Sequence, residues 1–369
     1  MMKIENSAAP YARAVSPYVI GLSTSEVAQR ISVPAEKIIR LSSNENPLGV
    51  PPGVVEAIKE QIGTLNRFPD NDACRLRQVL AARFAIPENW ITLGNGSNEI
   101  LEMAVRLFVE RGETTVSSQF AFSAYRLATT AIGGRNIVVP AKSYGHDLEA
   151  MRRAVAGNTK VLFIANPNNP TGTFIPRAEL ESFLSDVPRR VLVILDEAYT
   201  EYLAAGDAYD GISLVEKFPN LLVCHTFSKA FGLAGIRVGF GVSQPEVSAL
   251  LDRIHRPFSV NSLAQSAAIA ALNDESFLRE TAESNAQGIT QLTEGFDVIG
   301  LRYIPPHGNF VCVRVGDARG ATKVFDSLLA QGVIVRPLAD HGLPEWIRVT
   351  VGAQNENRIF LQELAASLT

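Results

Sequence analysis

The chain is poor in cysteine: three residues in 369, Cys74, Cys224 and Cys312, widely separated and without a CxxC pair. That spacing excludes a disulfide framework, and with no histidine pair beside it, a thiolate zinc site; no metal is expected. A reducing, cytoplasmic setting fits such cysteine usage. Charge of one sign is also lacking, with 34 Lys+Arg against 38 Asp+Glu and a formal net charge of −4. Nucleic-acid binding needs a basic face or stripe, and the tight basic pairs are only Arg152-Arg153 and Arg189-Arg190, so nucleic acid is not expected as a partner. Long apolar runs are missing as well. Stretches such as Val191 to Leu195 are strand-sized, far below the ~20 residues that cross a bilayer. Met1 to Pro10 lacks the apolar core of a signal peptide, so no membrane association is expected. No repeat or low-complexity tract marks a linker.

What is present is a globular composition, 46% apolar and 20% charged. The length suffices for two or three units that bury about three quarters of their extended surface. Between residues 90 and 240 short apolar runs alternate with longer mixed segments: Trp90 to Leu93, Thr114 to Val116, Ile137 to Val139, Val161 to Ile164, Val191 to Leu195 and Leu221 to Cys224. Continuous Val, Ile and Leu without polar alternation is the pattern of strands covered on both faces. Helices between them, such as the one spaced by Ile100, Leu101, Ala104, Val105 and Phe108, predict a three-layer α/β domain with a mostly parallel, mixed sheet. After residue 262 the texture changes to an Ala-rich helical stretch from Leu263 to about Leu292. Short strands follow at Phe310 to Val315, Val333 to Arg336 and Trp346 to Val351, then a final helix. The expected division is an arm over residues 1–45 that joins the smaller domain, a large domain over 46–262 and a small α+β C-terminal domain over 263–369.

In a parallel α/β sheet ligands bind beyond the carboxyl ends of the strands, and four segments at such ends carry polar groups. Leu93-Gly94-Asn95-Gly96-Ser97-Asn98-Glu99 is a Gly-rich turn opening a helix, which suits a phosphate. Glu99 replaces the last Gly of a dinucleotide fingerprint, and a capped helix start at Ser97 or Asn98 explains the same residues without a ligand. Ala165-Asn166-Pro167-Asn168-Asn169-Pro170-Thr171-Gly172 is a stiff loop presenting amide side chains. Asp196, in Asp196-Glu197-Ala198-Tyr199, ends an apolar strand; it either caps a helix or needs a partner to stay charged. The fourth segment is His225-Thr226-Phe227-Ser228-Lys229-Ala230-Phe231-Gly232-Leu233-Ala234-Gly235-Ile236-Arg237-Val238-Gly239. Only eight basic residues are lysines. Lys229 lies among Phe227, Phe231 and small residues, a setting that lowers an amine's pKa and frees it for Schiff-base chemistry. Alternatively, it is a surface lysine in a Gly-rich loop.

Together, Ser228 to Gly239, Asn166 to Gly172, Asp196 to Tyr199 and Leu41-Ser42-Ser43-Asn44-Glu45-Asn46-Pro47 resemble the fold-type I pyridoxal-phosphate aminotransferases. Over nearly the whole chain the likeness is to the histidinol-phosphate aminotransferase family. The resemblance implies pyridoxal 5'-phosphate as cofactor, with Lys229 carrying it as a Schiff base and moving the proton as general acid–base. It implies Asp196 opposite the pyridine nitrogen, Tyr199 and Asn169 at the ring oxygen, and Arg237, Ser228, Gly96, Ser97 and Asn98 around the phosphate. Phe120 matches the position of an aromatic ring over the pyridine face.

For the substrate, the resemblance implies Arg348 as the clamp on the carboxylate of glutamate, Arg336 and Tyr18 at the phosphate end of histidinol phosphate, and Asn46 lining the pocket. Arg336, Tyr18 and Asn46 each also have a structural reading, at a strand end, in packing and in a turn respectively. The implied reaction is transamination between histidinol phosphate and 2-oxoglutarate in histidine biosynthesis. An aromatic amino acid aminotransferase and a threonine-phosphate decarboxylase are the alternatives within the superfamily. An NAD-dependent oxidoreductase rests on Gly94-x-Gly96 alone and leaves Lys229, Asp196 and Asn169 unexplained. The pattern also implies a homodimer with shared active sites. One departure stands out: Phe68 occupies the place of a family tyrosine whose hydroxyl reaches the neighbouring subunit's cofactor phosphate, and a phenyl ring cannot make that bond.

Overall fold

The apolar runs form a central sheet in the computed structural model, which describes residues 4–13, 15, 17 and 21–368. In chain order the strands are β1 (Ile39–Arg40), β2 (Ile91–Gly94), β3 (Thr114–Ser118), β4 (Arg135–Val139), β5 (Thr159–Ala165), β6 (Leu192–Asp196) and β7 (Leu221–Thr226). They continue with β8 (Gly239–Ser243), β9 (Tyr303–Ile304), β10 (Phe310–Arg314), β11 (Val333–Ile334), β12 (Arg336–Pro337) and β13 (Trp346–Thr350). The large sheet runs β2-β8-β7-β6-β5-β3-β4. All neighbours in it are parallel except β8, which is antiparallel to both β2 and β7. The fold is therefore α/β with a mixed, mostly parallel sheet.

Side-chain alternation divides β5, β6 and β7 between two layers. Leu162, Ile164, Val193, Leu195, Leu221 and Val223 enter one apolar cluster, and Val161, Phe163, Leu192, Ile194, Leu222 and Cys224 enter another on the opposite face. Burial on both faces is why these strands read as unbroken apolar runs. The three strands end side by side at Ala165, Asp196 and Thr226, and Asp196 continues the Leu192–Ile194 face.

Strand β8 has no counterpart among the expected strands. Its Gly-Phe-Gly-Val-Ser sequence is weak in β-formers, and packing explains the glycine: a Cβ at Gly239 would lie 2.4 Å from the Ser97 amide nitrogen and 2.9 Å from the His225 carbonyl oxygen. The strand passes beneath the turn that opens the Ser97–Phe108 helix, and only a residue without a side chain fits there.

The Ala-rich stretch is two helices, Ser262–Leu272 and Glu275–Ile299, separated where the Asp274 side chain accepts from the Phe277 amide as an N-cap. Ala264, Ala267, Ala268 and Ala271 of the first belong to the apolar cluster of the large sheet. The core boundary thus falls later than the texture change at residue 262, because small side chains there serve close packing against the helices Pro52–Ile62 and Cys74–Phe84. The second core gathers Leu292, Phe296, Val311, Val313, Ile347, Val349 and Phe360 around the antiparallel sheet β12-β13-β10-β9. Leu41 joins that core, and β1 pairs with β11, so the segment after the arm crosses from the small unit toward the strand ends of the large one.

Candidate functional site

A cavity of about 250 Å³ opens where the ends of β5, β6 and β7 meet β13 and the crossing segment at residues 42–44. Ser97, Asn98, Asn169, Asp196, Tyr199, Ser228, Lys229, Arg237, Arg336 and Arg348, all expected from the sequence, line it.

One end is an anion cradle. Gly96, at φ +83°, caps the Ser97–Phe108 helix, whose first amides have no acceptor within the helix. Arg237 Nη1 donates to Ser228 Oγ at 3.0 Å and to the Ala234 carbonyl at 3.1 Å. Its other terminal nitrogen presses so closely on Gly96 that a Cβ there would lie 2.2 Å away. Glycine is required twice over, by φ and by the guanidinium. Glu99 closes the turn by accepting from the Asn95 amide at 2.6 Å, so the residue that breaks the dinucleotide fingerprint has a local role.

At the middle of the cavity stand Lys229 and Asp196. Lys229 Nζ donates to the Ser43 carbonyl at 2.8 Å and lies 6.0 Å from the centre of the Tyr199 ring. Burial first, then the positive charges of Arg348 and Arg237 against the opposing pull of Glu45, bring its pKa down to about 7. About half of the amine is thus available as a base and nucleophile at pH 7. Asp196 Oδ2 accepts from the Tyr125 hydroxyl at 2.7 Å, whereas Oδ1 is buried with no hydrogen-bond partner. Burial raises the Asp196 pKa, opposed by the Tyr125 bond, the positive charge of His225 and the nearby Ala198 backbone amide, which stands outside hydrogen-bond geometry to Oδ1. A buried carboxylate oxygen without a donor is costly, and a cationic N–H entering the cavity would satisfy it.

Toward β13, Arg348 Nη2 donates to the Ser42 carbonyl at 2.7 Å, and Nη1 makes a short bond to Asn169 Oδ1. Arg336 pairs with Asp340, whose other oxygen lies 2.8 Å from His341 Nδ1; His341 also faces the cavity.

Two sequence expectations are displaced. Phe120 does not line the cavity: its ring joins Ile304, Cys312, Leu338, Leu343 and Trp346 in a separate apolar cluster, and Phe122, two residues on, reaches the cavity instead. Asn46 is a strut outside the lining, donating to the Ala230 carbonyl at 2.9 Å and to Thr281 Oγ1 at 3.1 Å, which steadies the turn after Lys229. Tyr18 lies outside the described residues. Three contributors escaped the sequence reading. Asn44, at φ +54°, donates to the Tyr199 hydroxyl at 2.9 Å; its place in the Asn44-Glu45-Asn46 motif was the available signal. The carbonyls of Ser42 and Ser43 lie in the same Leu41 to Pro47 segment but their side chains name no role, and Tyr125 carries no signal, since its partner comes from a remote strand.

The lowered pKa of Lys229 makes a stability prediction for the cofactor-free protein. Between about pH 7 and 10.5 the unfolded chain holds a proton on this lysine that the folded chain has released, so stability rises with pH over that window. Lys229→Met removes both the penalty and the slope. In urea denaturation the variant should be more stable by ~2–4 kcal/mol at pH 7, the gap closing toward pH 10; parallel curves for the two proteins would refute the burial argument.

The residues match relatives of known class. The family model for aminotransferase class I and II matches residues 36–364. A histidinol-phosphate aminotransferase 2 of Ralstonia nicotianae is 51% identical over 97% of this chain and 96% of its own. A histidinol-phosphate aminotransferase 1 of Dechloromonas aromatica is 47% identical over the full length of both. A crystal structure of histidinol-phosphate aminotransferase from Sinorhizobium meliloti, in complex with pyridoxal-5'-phosphate, superposes with a TM-score of 0.90 at 29% identity, covering 98% of this chain and 97% of that one. With that coverage and with Lys229, Asp196 and Arg237 converging on one cavity, the chain belongs to the aminotransferase class I and II family.

Proposed function

We propose that this protein is a pyridoxal-phosphate-dependent aminotransferase that transfers the amino group of histidinol phosphate to 2-oxoglutarate; the relatives from Ralstonia nicotianae and Dechloromonas aromatica are histidinol-phosphate aminotransferases. The observation that carries the cofactor reading is Asp196 Oδ1, buried and without a donor, in the same cavity as the depressed amine of Lys229. A protonated pyridine nitrogen fits the first and an aldehyde the second, while the Gly96–Arg237–Ser228 cradle fits a phosphate.

When bound, pyridoxal phosphate supplies an electron sink that acidifies the substrate C–H bond beside the amino nitrogen. The chain does the rest. Asp196, held by Tyr125, would hold a negative charge toward the ring nitrogen. Tyr199, oriented by Asn44, and Asn169 would offer polar groups to the ring oxygen, and Phe122, which lines the cavity, would offer an apolar face in the place expected for Phe120. Lys229 Nζ, about half neutral at pH 7, would take the proton from the substrate carbon and deliver it to the cofactor's carbon as general acid–base. Arg348 offers a planar fork suited to the carboxylate of glutamate or 2-oxoglutarate. Arg336, poised by Asp340 beside His341, offers the charge that suits a substrate phosphate.

A homodimer with shared active sites is the assembly we propose. Val55, Ile62, Leu65, Phe68 and Phe258 are all exposed, and Phe68, 81% exposed, stacks on Phe258 at 4.6 Å. Exposed apolar rings of this kind mark an interaction surface. No helix among the described residues is long and apolar enough to cross a membrane, and we propose a cytoplasmic location.

Two measurements test these readings. Mixing the cofactor-loaded enzyme separately with histidinol phosphate, phenylalanine, tyrosine and glutamate, and following the cofactor's absorbance, should show conversion with histidinol phosphate and glutamate. An enzyme inert to histidinol phosphate but reactive with phenylalanine would reassign the substrate, and carbon dioxide release would reassign the reaction. In sedimentation velocity the wild type should remain a dimer on dilution, with Phe68→Asp dissociating at higher concentration than wild type; a monomeric wild type would contradict the shared-site assembly.

A further inference from the structure

Directly behind the cavity lies a buried charge cluster that the proposed chemistry does not use. On β6 and β7 the residues Asp196 and Cys224 are register partners, and the next residues, Glu197 and His225, meet each other. His225 Nε2 lies 3.1 Å from Glu197 Oε2, and Nδ1 lies 3.9 Å from Glu201 Oε1. Both His225 and Glu197 are almost wholly buried, at 3% and 1% exposure. The imidazole is stacked on Phe240 at 5.0 Å and 9°, with Phe84 tilted against it at 6.1 Å. Gly211 lets the following loop close over the pair: a Cβ there would lie 2.3 Å from Glu197 Oε1.

The groups facing His225 are acidic or apolar. Glu197 follows β6, Glu201 belongs to the 3-10 turn Thr200–Tyr202, Asp210 borders the cluster through Glu197, and Asp196 acts on it across the strand pair. Phe84 and Phe240 complete the surroundings. Burial pushes the Glu197 carboxyl up and the His225 charge opposes that shift, so a neutral imidazole would leave a buried carboxylate without its counter-charge. The imidazolium faces both glutamates as an ion pair, with His225 Nε2 and Glu197 Oε2 close together but outside hydrogen-bond geometry, and a proton on each nitrogen suits two carboxylates. Burial works against the ring's positive charge, but the close approach and negative charge of Glu197 and Glu201 outweigh it and push the ring's pKa up to about 10.

Resting on the reading of Asp196 and Lys229 as cofactor partners, we infer that His225 is a positioning residue: its buried imidazolium clamps Glu197 and Glu201, and so holds Asp196 and Tyr199 against the Lys229 turn. The connectivity gives the clamp its leverage. Glu197 is bonded to Asp196 in the chain and stands two residues before Tyr199, while His225 stands four residues before Lys229. The same positive charge lowers the Asp196 pKa against its burial, favouring the ionised form that a pyridine N–H requires.

A competing occupant is a divalent cation, since ligand atoms of Glu197, Asp210 and His225 lie within 4.8 Å of one another; a metal would demand a neutral imidazole. Nitrogen NMR of histidine-labelled protein, with His225 assigned by the loss of its signals in His225→Gln, separates the two. The imidazolium pattern should persist through pH 9 in cofactor-free protein and holoenzyme alike. Pyridoxal phosphate affinity should fall roughly tenfold or more in His225→Gln, the scale for a charged bond lost, and recover to within a few fold in His225→Arg. A ring neutral at pH 7.5, a stoichiometric bound divalent cation, or equal affinities in the Gln and Arg variants would overturn the inference. Should no variant fold, the wild-type ring ionisation still decides. Failure to bind the cofactor at all, with the imidazolium intact, would instead strike the proposed function.

Discussion

Everything at the site depends on desolvation of two groups that water would otherwise leave ordinary. Lys229 gives up its proton near pH 7 because it is buried and feels the charges of Arg348 and Arg237, and Asp196 keeps one oxygen unsatisfied because β6 delivers it into the same cavity. Neither condition is local. The amine's environment requires β13 and the segment at residues 42–44 from the small unit to cover the strand ends of the large one. The two-core architecture is thus the means by which a lysine and an aspartate acquire functional ionisation.

How much of this was legible follows from whether each signal was local. Strands β5, β6 and β7 read directly as apolar runs because both faces of the sheet are covered. The motifs at their ends fell at the cavity because parallel strands end on one side. Strand β8 did not read, since Gly239 and Gly241 carry no β-signal and the requirement for them comes from the Ser97 turn and Ile100 lying over them. Phe120 and Phe122 are chemically identical and two residues apart. Their roles diverge only through the start of the following helix, which sends Phe122 to the cavity and Phe120 into the apolar cluster with Trp346. Asn44 and Asn46 share one motif, yet the positive φ at Asn44 turns its amide to Tyr199 while Asn46 braces Ala230. Tyr125 was invisible because its partner, Asp196, is 71 residues away.

The near-balance of 34 basic and 38 acidic residues describes the surface and says little about the interior. Inside, sign is sorted by layer: Lys229, Arg237, Arg336 and Arg348 face the cavity, while Glu197 and Glu201 meet His225 on the far side of the strand pair. Asp196 sits between these zones, bonded to Tyr125 and polarised from behind by His225. Under the proposed function, that layering would let the cavity hold an anionic cofactor and anionic substrates while the buried carboxylate among them stays available for a cationic ring.

The central claim is that one lysine, made nucleophilic by burial, is the attachment point of the cofactor. Borohydride reduction of the protein with bound pyridoxal phosphate, followed by proteolysis and mass mapping, tests it most directly. The account predicts one phosphopyridoxyl group per chain, on the peptide containing Lys229, and none in Lys229→Ala; a specific adduct on any of the other lysines, or one that survives that substitution, would contradict it.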